Sequence, residues 1–265
     1  MIFDSLRLQA QIINALAYRD QAERIRKSPF GAVGLLVEPL LFVSMFLILR
    51  VLVRIAAAAP LMNPVLQLAS GFILFYLFSK IALKAISGVA RSQRFSELRR
   101  IRPLDVLIAG AVVEFQIYGV CIVLVILAVS IYQWQFAVAY PGSAVAMFIL
   151  VALTSLGIGL AALVVGHRLP VVKFAVNTLI RRILFWTSGL FFSIATIPDF
   201  ARPFLLWNPL LHGIELFRHS LVPTYPIPGI SLGYLLIWAF VSLGFSLLVY
   251  GNNEQLLVAD EAADV

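Results

Sequence analysis

The run VLIAGAVVEFQIYGVCIVLVILAVSI, Val106 to Ile131, holds one charged side chain, Glu114, and exceeds the roughly 20 residues that carry a helix across about 30 Å of hydrocarbon. Comparable runs lie at 31–53, 65–86, 143–166, 179–197 and 232–250. The sequence therefore predicts an all-α integral membrane protein: one transmembrane domain over 1–265 with six spans. Composition agrees, since 62% of the 265 residues are hydrophobic and 12% charged, against roughly 45–50% and 25% in an ordinary soluble domain. So large an apolar excess cannot be hidden in a soluble core, and the solvent is a bilayer.

The segments between the spans set the topology. Residues 1–29 carry a sparse apolar stripe (Phe3, Leu6, Ala10, Ile13, Ala17) among Arg7, Arg19, Arg24, Arg26 and Lys27, which at helical spacing reads as an interfacial amphipathic helix. No cleavable signal is expected, because the first apolar run starts only near Gly31 and no small-residue cleavage site follows a short apolar core. Residues 87–105 hold Arg91, Arg94, Arg99, Arg100 and Arg102, stopped by Pro103, and read as a short, exposed, basic helix. With the N-terminus in the cytoplasm, sixteen lysines and arginines fall on the inner side. Arg50, Arg54, Arg202 and Arg218 are left outside. That bias fixes the expected orientation, and an even span count returns the tail, 251–265, to the cytoplasm.

Several function classes fall away. The formal charge of +7 sits between apolar spans, which fits the positive-inside rule and anionic headgroups better than a nucleic acid. The single cysteine, Cys121, excludes an intrachain disulfide and a thiolate metal site. There is no G-x-x-x-x-G-K-[ST], and none of the four lysines follows a glycine, so no Walker phosphate cradle can form. Any ATP-driven work needs a partner. The basic stretch Arg91–Pro103 reads either as plain topology or as a docking helix for a cytoplasmic subunit, with Phe95 as anchor and Glu97, Arg99 and Arg100 fixing orientation.

Residues 198–231 are apolar enough to enter the membrane but are cut by Pro203 and Pro209 into pieces too short to span. Asn208 before Pro209 is a helix start, an N-cap followed by proline at the first helical position, so two short helices that dip in and return on the outer side are expected. His212, Glu215 and His219 share a helical face, but the H-E-x-x-H spacing is missing and no fourth ligand is evident. Glu215 paired with Arg218 or His219 is preferred to a metal. Glu114 is costly against lipid and is expected to face a neighbouring helix or a pathway. Phe72, Phe75, Tyr76 and Phe78 in the second span, and Phe185, Trp186, Phe191 and Phe192 in the fifth, are packing or belt residues, or else rings along a channel on which sugar faces slide. Lys80 and Lys84, with Arg181 and Arg182, mark a cytoplasmic entrance that either anchors the spans or recruits an anionic substrate.

The run LLWNPLLHGIELFRHSLVP (Leu205–Pro223), preceded by Ile197-Pro198, resembles the outer re-entrant signature of capsular polysaccharide export permeases of the type-two ABC exporter class. Glu38-Pro39 after the basic N-terminal helix, RPLDVL (Arg102–Leu107) with Glu114 behind it, and GHRLP (Gly166–Pro170) agree in the same order. The resemblance implies a homodimer in the bacterial inner membrane with its path at the dimer interface and one ATPase subunit, carrying ATP and Mg, under each half. It makes Arg91–Pro103 the coupling helix. Trp207, Asn208, Pro209, His212, Glu215 and Arg218 become an outer gate. A lipid-linked, anionic polysaccharide is the implied cargo, handed to periplasmic and outer-membrane export proteins. Permeases for O-antigen or teichoic acid remain open alternatives. An intramembrane enzyme would need acid, base or nucleophile clustered at one depth, and the spans hold only two acidic residues, Glu38 and Glu114, in separate runs.

Overall fold

The computed structural model describes residues 2–52, 61–87 and 102–263. Among them every regular element is helical: α1 (Ile2–Lys27), α2 (Gly31–Leu52), α3 (Pro64–Ile86), α4 (Pro103–Gln133), α5 (Pro141–Arg168) and α6 (Pro170–Thr178), which runs through a π-helical turn (Leu179–Ile183) into α7 (Leu184–Thr187). After a 3₁₀ turn (Ile194–Thr196) come α8 (Arg202–Leu206), α9 (Pro209–Leu221) and the long α10 (Leu232–Ala263). The expected coupling residues Arg91, Arg94, Phe95, Glu97, Arg99 and Arg100 lie outside the described residues.

Length and composition let four of these helices cross a membrane: α3, α4, α5 and α10 over Leu232–Asn252. A fifth crossing arises if α1 and α2, bent by 93° at their junction, count as one. The bend follows from Ser28-Pro29 and from Gly31, whose φ of +58° is open to glycine and strained for other residues.

The chain expected to be helical over 179–197 is helical instead from Pro170 to Thr187. Pro170 is preorganised for the first helical position, which pulls the start back. Gly189, at φ +73°, ends the helical run. Beyond it the backbone stays irregular although Leu190 and Ile194 are fully buried, so its carbonyls need partners from elsewhere.

Proline at the first turn begins α3, α4, α5 and α9. Asp105 strengthens the start of α4, accepting from the Arg102 backbone N–H at 3.1 Å and from Gln9 Nε2 at 2.7 Å. The central helix is α3, buried along most of its length and packed against α2, α4, α5 and α9; a helix apolar on all sides belongs in such a place. α10 is peripheral, lies along α5, and leaves Phe240, Val241 and Leu248 exposed. Small residues permit the closest crossings: a Cβ on Gly159 would lie 2.6 Å from the Ala82 carbonyl of α3, and one on Gly157 would lie 2.3 Å from Ser242 Oγ of α10.

Candidate functional site

Two buried charged clusters sit toward opposite ends of α3, about 21 Å apart from Ser70 to Lys84 at 1.5 Å per residue. The first centres on Arg218 of α9, whose side chain has no exposed surface. Its Nη1 donates to Glu215 Oε1 at 2.8 Å and to the Phe192 carbonyl at 3.0 Å. Nη2 donates to the carbonyls of Gln67 at 2.8 Å and Leu190 at 3.3 Å, and Nε to Ser70 Oγ at 3.2 Å. One guanidinium thus satisfies the irregular strip after α7 and ties it to α3. The planar fork of donors suits arginine to such a position. Gly71 is required beside it, because a Cβ there would approach Nη2 to 2.8 Å and the Leu190 Cα to 2.9 Å.

Of the two partners the sequence offered, Glu215 meets Arg218, and Tyr225 adds a hydroxyl that donates to Glu215 Oε1 at 3.2 Å. Burial pushes the Glu215 carboxyl up from the usual carboxylate range, and the Arg218 guanidinium pulls it back. His219 turns away, its Nδ1 donating to the Tyr225 carbonyl at 2.9 Å. His212 uses both ring nitrogens: Nε2 donates to the Leu206 carbonyl at 2.6 Å, and Nδ1 accepts from the Ser231 N–H at 3.0 Å. Burial pushes its pKa down, and this bonding pattern is that of a neutral imidazole. Among the described residues no three His, Cys, Asp or Glu side chains gather as a metal site.

Asn208 caps α9, its Oδ1 accepting from the Leu210 N–H at 3.0 Å, and Pro209 is buried behind it. The Nδ2 reaches back to Ser188 Oγ at 2.9 Å and Thr187 Oγ1 at 3.2 Å, a tie across the chain that a local reading of the cap does not contain. Trp207 is exposed, while its carbonyl accepts from the Tyr234 hydroxyl at 2.6 Å. We expect Asn208→Ala to destabilise the protein by about 1–2 kcal/mol, the loss of a cap and of a buried hydrogen bond. Asn208→Asp keeps the cap and should recover roughly half. Thermal melting of the two purified variants checks this; equal melting of both and the parent would dismiss the tie.

The second cluster joins α1 to α3 and α4. Glu114, 3% exposed, accepts from Arg24 Nη2 at 3.0 Å and pairs with Lys84 Nζ. Asp20 completes the group, 2.9 Å from Arg24 and 3.5 Å from Lys84. Glu114 thus faces neighbouring helices. Asp20 was not singled out by the sequence, and Arg24 only as one of the basic residues around the apolar stripe of α1. Arg181 and Arg182 are exposed on the π-helical turn, a feature frequent at functional sites, and Arg181 Nε donates to Asn177 Oδ1 at 2.6 Å.

Between the two clusters the aromatic residues form one continuous group. Phe72 stacks on Phe46 at 4.6 Å and meets Phe191 at 5.4 Å; Phe185 meets Phe75 at 5.4 Å and Trp186 at 5.3 Å. Tyr76 faces Phe42 at 5.3 Å and Tyr118 at 6.5 Å. Phe72, Phe75 and Phe78 are buried, Tyr76, Phe185 and Phe192 half-buried, and Trp186 exposed. Phe192 contributes its carbonyl to Arg218. Phe42, Phe46 and Tyr118 had no signal in the sequence that separated them from other aromatic residues of a span.

Residues 11–222 match the family described as ABC-2 type transporter. Over 251 residues the chain is 29% identical to the polysialic acid transport protein KpsM of Escherichia coli, covering 95% of this chain and 96% of that one. It is 24% identical over 251 residues to the capsule polysaccharide export inner-membrane protein BexB of Haemophilus influenzae, covering 95% and 94%. It is 26% identical over 257 residues to the capsule polysaccharide export inner-membrane protein CtrC of Neisseria meningitidis serogroup A, again covering 95% and 94%.

Proposed function

The chain belongs to the ABC-2 type transporter family, and on that premise we propose that it is the membrane-spanning subunit of an ATP-driven exporter that moves a lipid-linked capsular polysaccharide across a bacterial inner membrane. The observation that carries this reading is similarity along nearly the whole chain to proteins named for polysialic acid transport and capsule polysaccharide export. The sequence holds no phosphate loop of its own, so ATP and Mg belong to a separate cytoplasmic ATPase, two copies of which serve two copies of this chain. Each copy spans the membrane six times, with both termini in the cytoplasm and the path between the copies. Residues 91–103 dock the ATPase, and α8 and α9 form the outer re-entrant pair. Periplasmic and outer-membrane export proteins receive the polymer.

Within this scheme Tyr76, Phe185, Trp186 and Phe192 are among the rings that retain surface to offer a sugar face. Phe72 and Phe75 support them from behind. The Arg218 node then serves as the hinge on which the outer gate is hung.

The test begins with the tagged chain isolated from its native membranes, which should carry an ATPase containing a Walker loop in equal proportion. Changing Phe95 and Arg99 together to alanine should release that ATPase, or leave ATP hydrolysis running without surface polysaccharide. A chain that purifies without an ATPase, and whose removal leaves the capsule intact, overturns the reading.

A further inference from the structure

A cavity of about 470 Å³ opens where α1, the end of α3, α4 and the π-helical turn meet. Arg24, Lys80, Lys84 and Arg181 line it together with two carboxylates, Asp20 and Glu114, so that cationic side chains outnumber acidic ones along its wall. The two carboxylates differ. Glu114 is 3% exposed and held between Arg24 and Lys84, so it acts as a fixed counter-charge that positions the cations. Asp20 has a side chain 36% exposed, and its Oδ2 lies 2.9 Å from Arg24 and 3.5 Å from Lys84. An anionic oxygen at that point touches a guanidinium and an ammonium at once, as phosphate oxygens do when bound by such groups.

The surroundings favour a phosphate carried on a lipid. Arg181 belongs to the helical stripe that runs back through Asn177, to which it is bonded, to Phe174. Phe174 is 72% exposed and Val171, a turn earlier, 68%. An apolar strip thus leads away from the cationic cavity, and acyl chains can lie along it while the headgroup enters.

We propose that this cavity binds the phosphate of an anionic lipid headgroup, and that Asp20 occupies in this structure the position a phosphate oxygen takes. Binding replaces the Asp20 carboxylate on Arg24 and Lys84, with Lys80 and Arg181 lining the same cavity. The assignment deepens the export reading, on which it rests only for placing this end of α3 at the inner leaflet. Bulk anionic phospholipid and a lipid-linked substrate share the chemistry, and both enter from the same leaflet.

The test reads binding, so its failure is separable from failure of export. The full chain is placed in phosphatidylcholine nanodiscs doped with dioleoyl phosphatidic acid, and retained lipid is measured by native mass spectrometry. The parent should retain phosphatidic acid in preference to phosphatidylcholine. The double variant Lys80→Gln/Arg181→Gln should lose that retention about tenfold, the charge-preserving Lys80→Arg/Arg181→Lys pair should keep it, and Asp20→Asn should raise it several-fold. Thermal melting of each variant separates lost binding from lost folding. Equal retention by parent and the Gln double variant overturns the site. No gain in Asp20→Asn overturns the role of that carboxylate. Displacement of the lipid by millimolar inorganic phosphate reassigns the cavity to free phosphate, and persistence of the lipid confirms the headgroup.

Discussion

Exchange of Arg218 for lysine is expected to abolish export and to lower stability by about 3–5 kcal/mol, the range for breaking a buried charged pair. The guanidinium serves five acceptors on three separate pieces of chain. A lysine ammonium keeps the charge but offers three donors from one atom, so it cannot reach Glu215, the Gln67 carbonyl and the strip from Leu190 to Phe192 together. Backbone carbonyls left bare beside a side chain with no exposed surface each carry a desolvation penalty. Glu215→Ala removes one acceptor and strands the cation; it should impair export as well, yet leave the spans inserted and the proposed ATPase partner bound, since neither depends on this node. Melting of the purified protein and surface staining of the capsule read the two effects. A full capsule on cells carrying Arg218→Lys would dismiss the proposed gate role of this node.

At the opposite end of α3, Glu114→Ala should release α1. Its carboxylate is the only group among the described residues that bonds both Arg24 of α1 and Lys84 of α3 from within α4, and its loss leaves two cations facing each other across Asp20. The expected destabilisation is again about 3–5 kcal/mol, concentrated in the packing of α1 on α4 rather than spread over the spans. Hydrogen exchange should accelerate by a factor of ten or more along residues 12–24 while the amides of α3 stay protected. Unchanged exchange in α1 would mean that the apolar contacts of Leu16 and Ala17 with Ala109 and Val113 hold the helix without the charges.

Much of this was written in the order of residues. Apolar runs too long for a soluble core require a bilayer, and α3, α4 and α5 start where a proline permits, because backbone groups in hydrocarbon must find their partners within the helix. The Glu215–Arg218 pair, the Asn208 cap and the two short helices α8 and α9 were legible for the same reason: each depends on residues within a turn or two of one another. What depends on residues far apart in the chain had no local sign. Arg218 meets Gln67 and Ser70 across about 150 positions, and Glu114 meets Arg24 across 90. That the helix before Ser188 stops short, with its following carbonyls handed to Arg218 instead of to a further turn, is a choice between two ways of satisfying the same backbone groups. Periodicity cannot distinguish them, because the competing donor arrives only when α9 packs against α3.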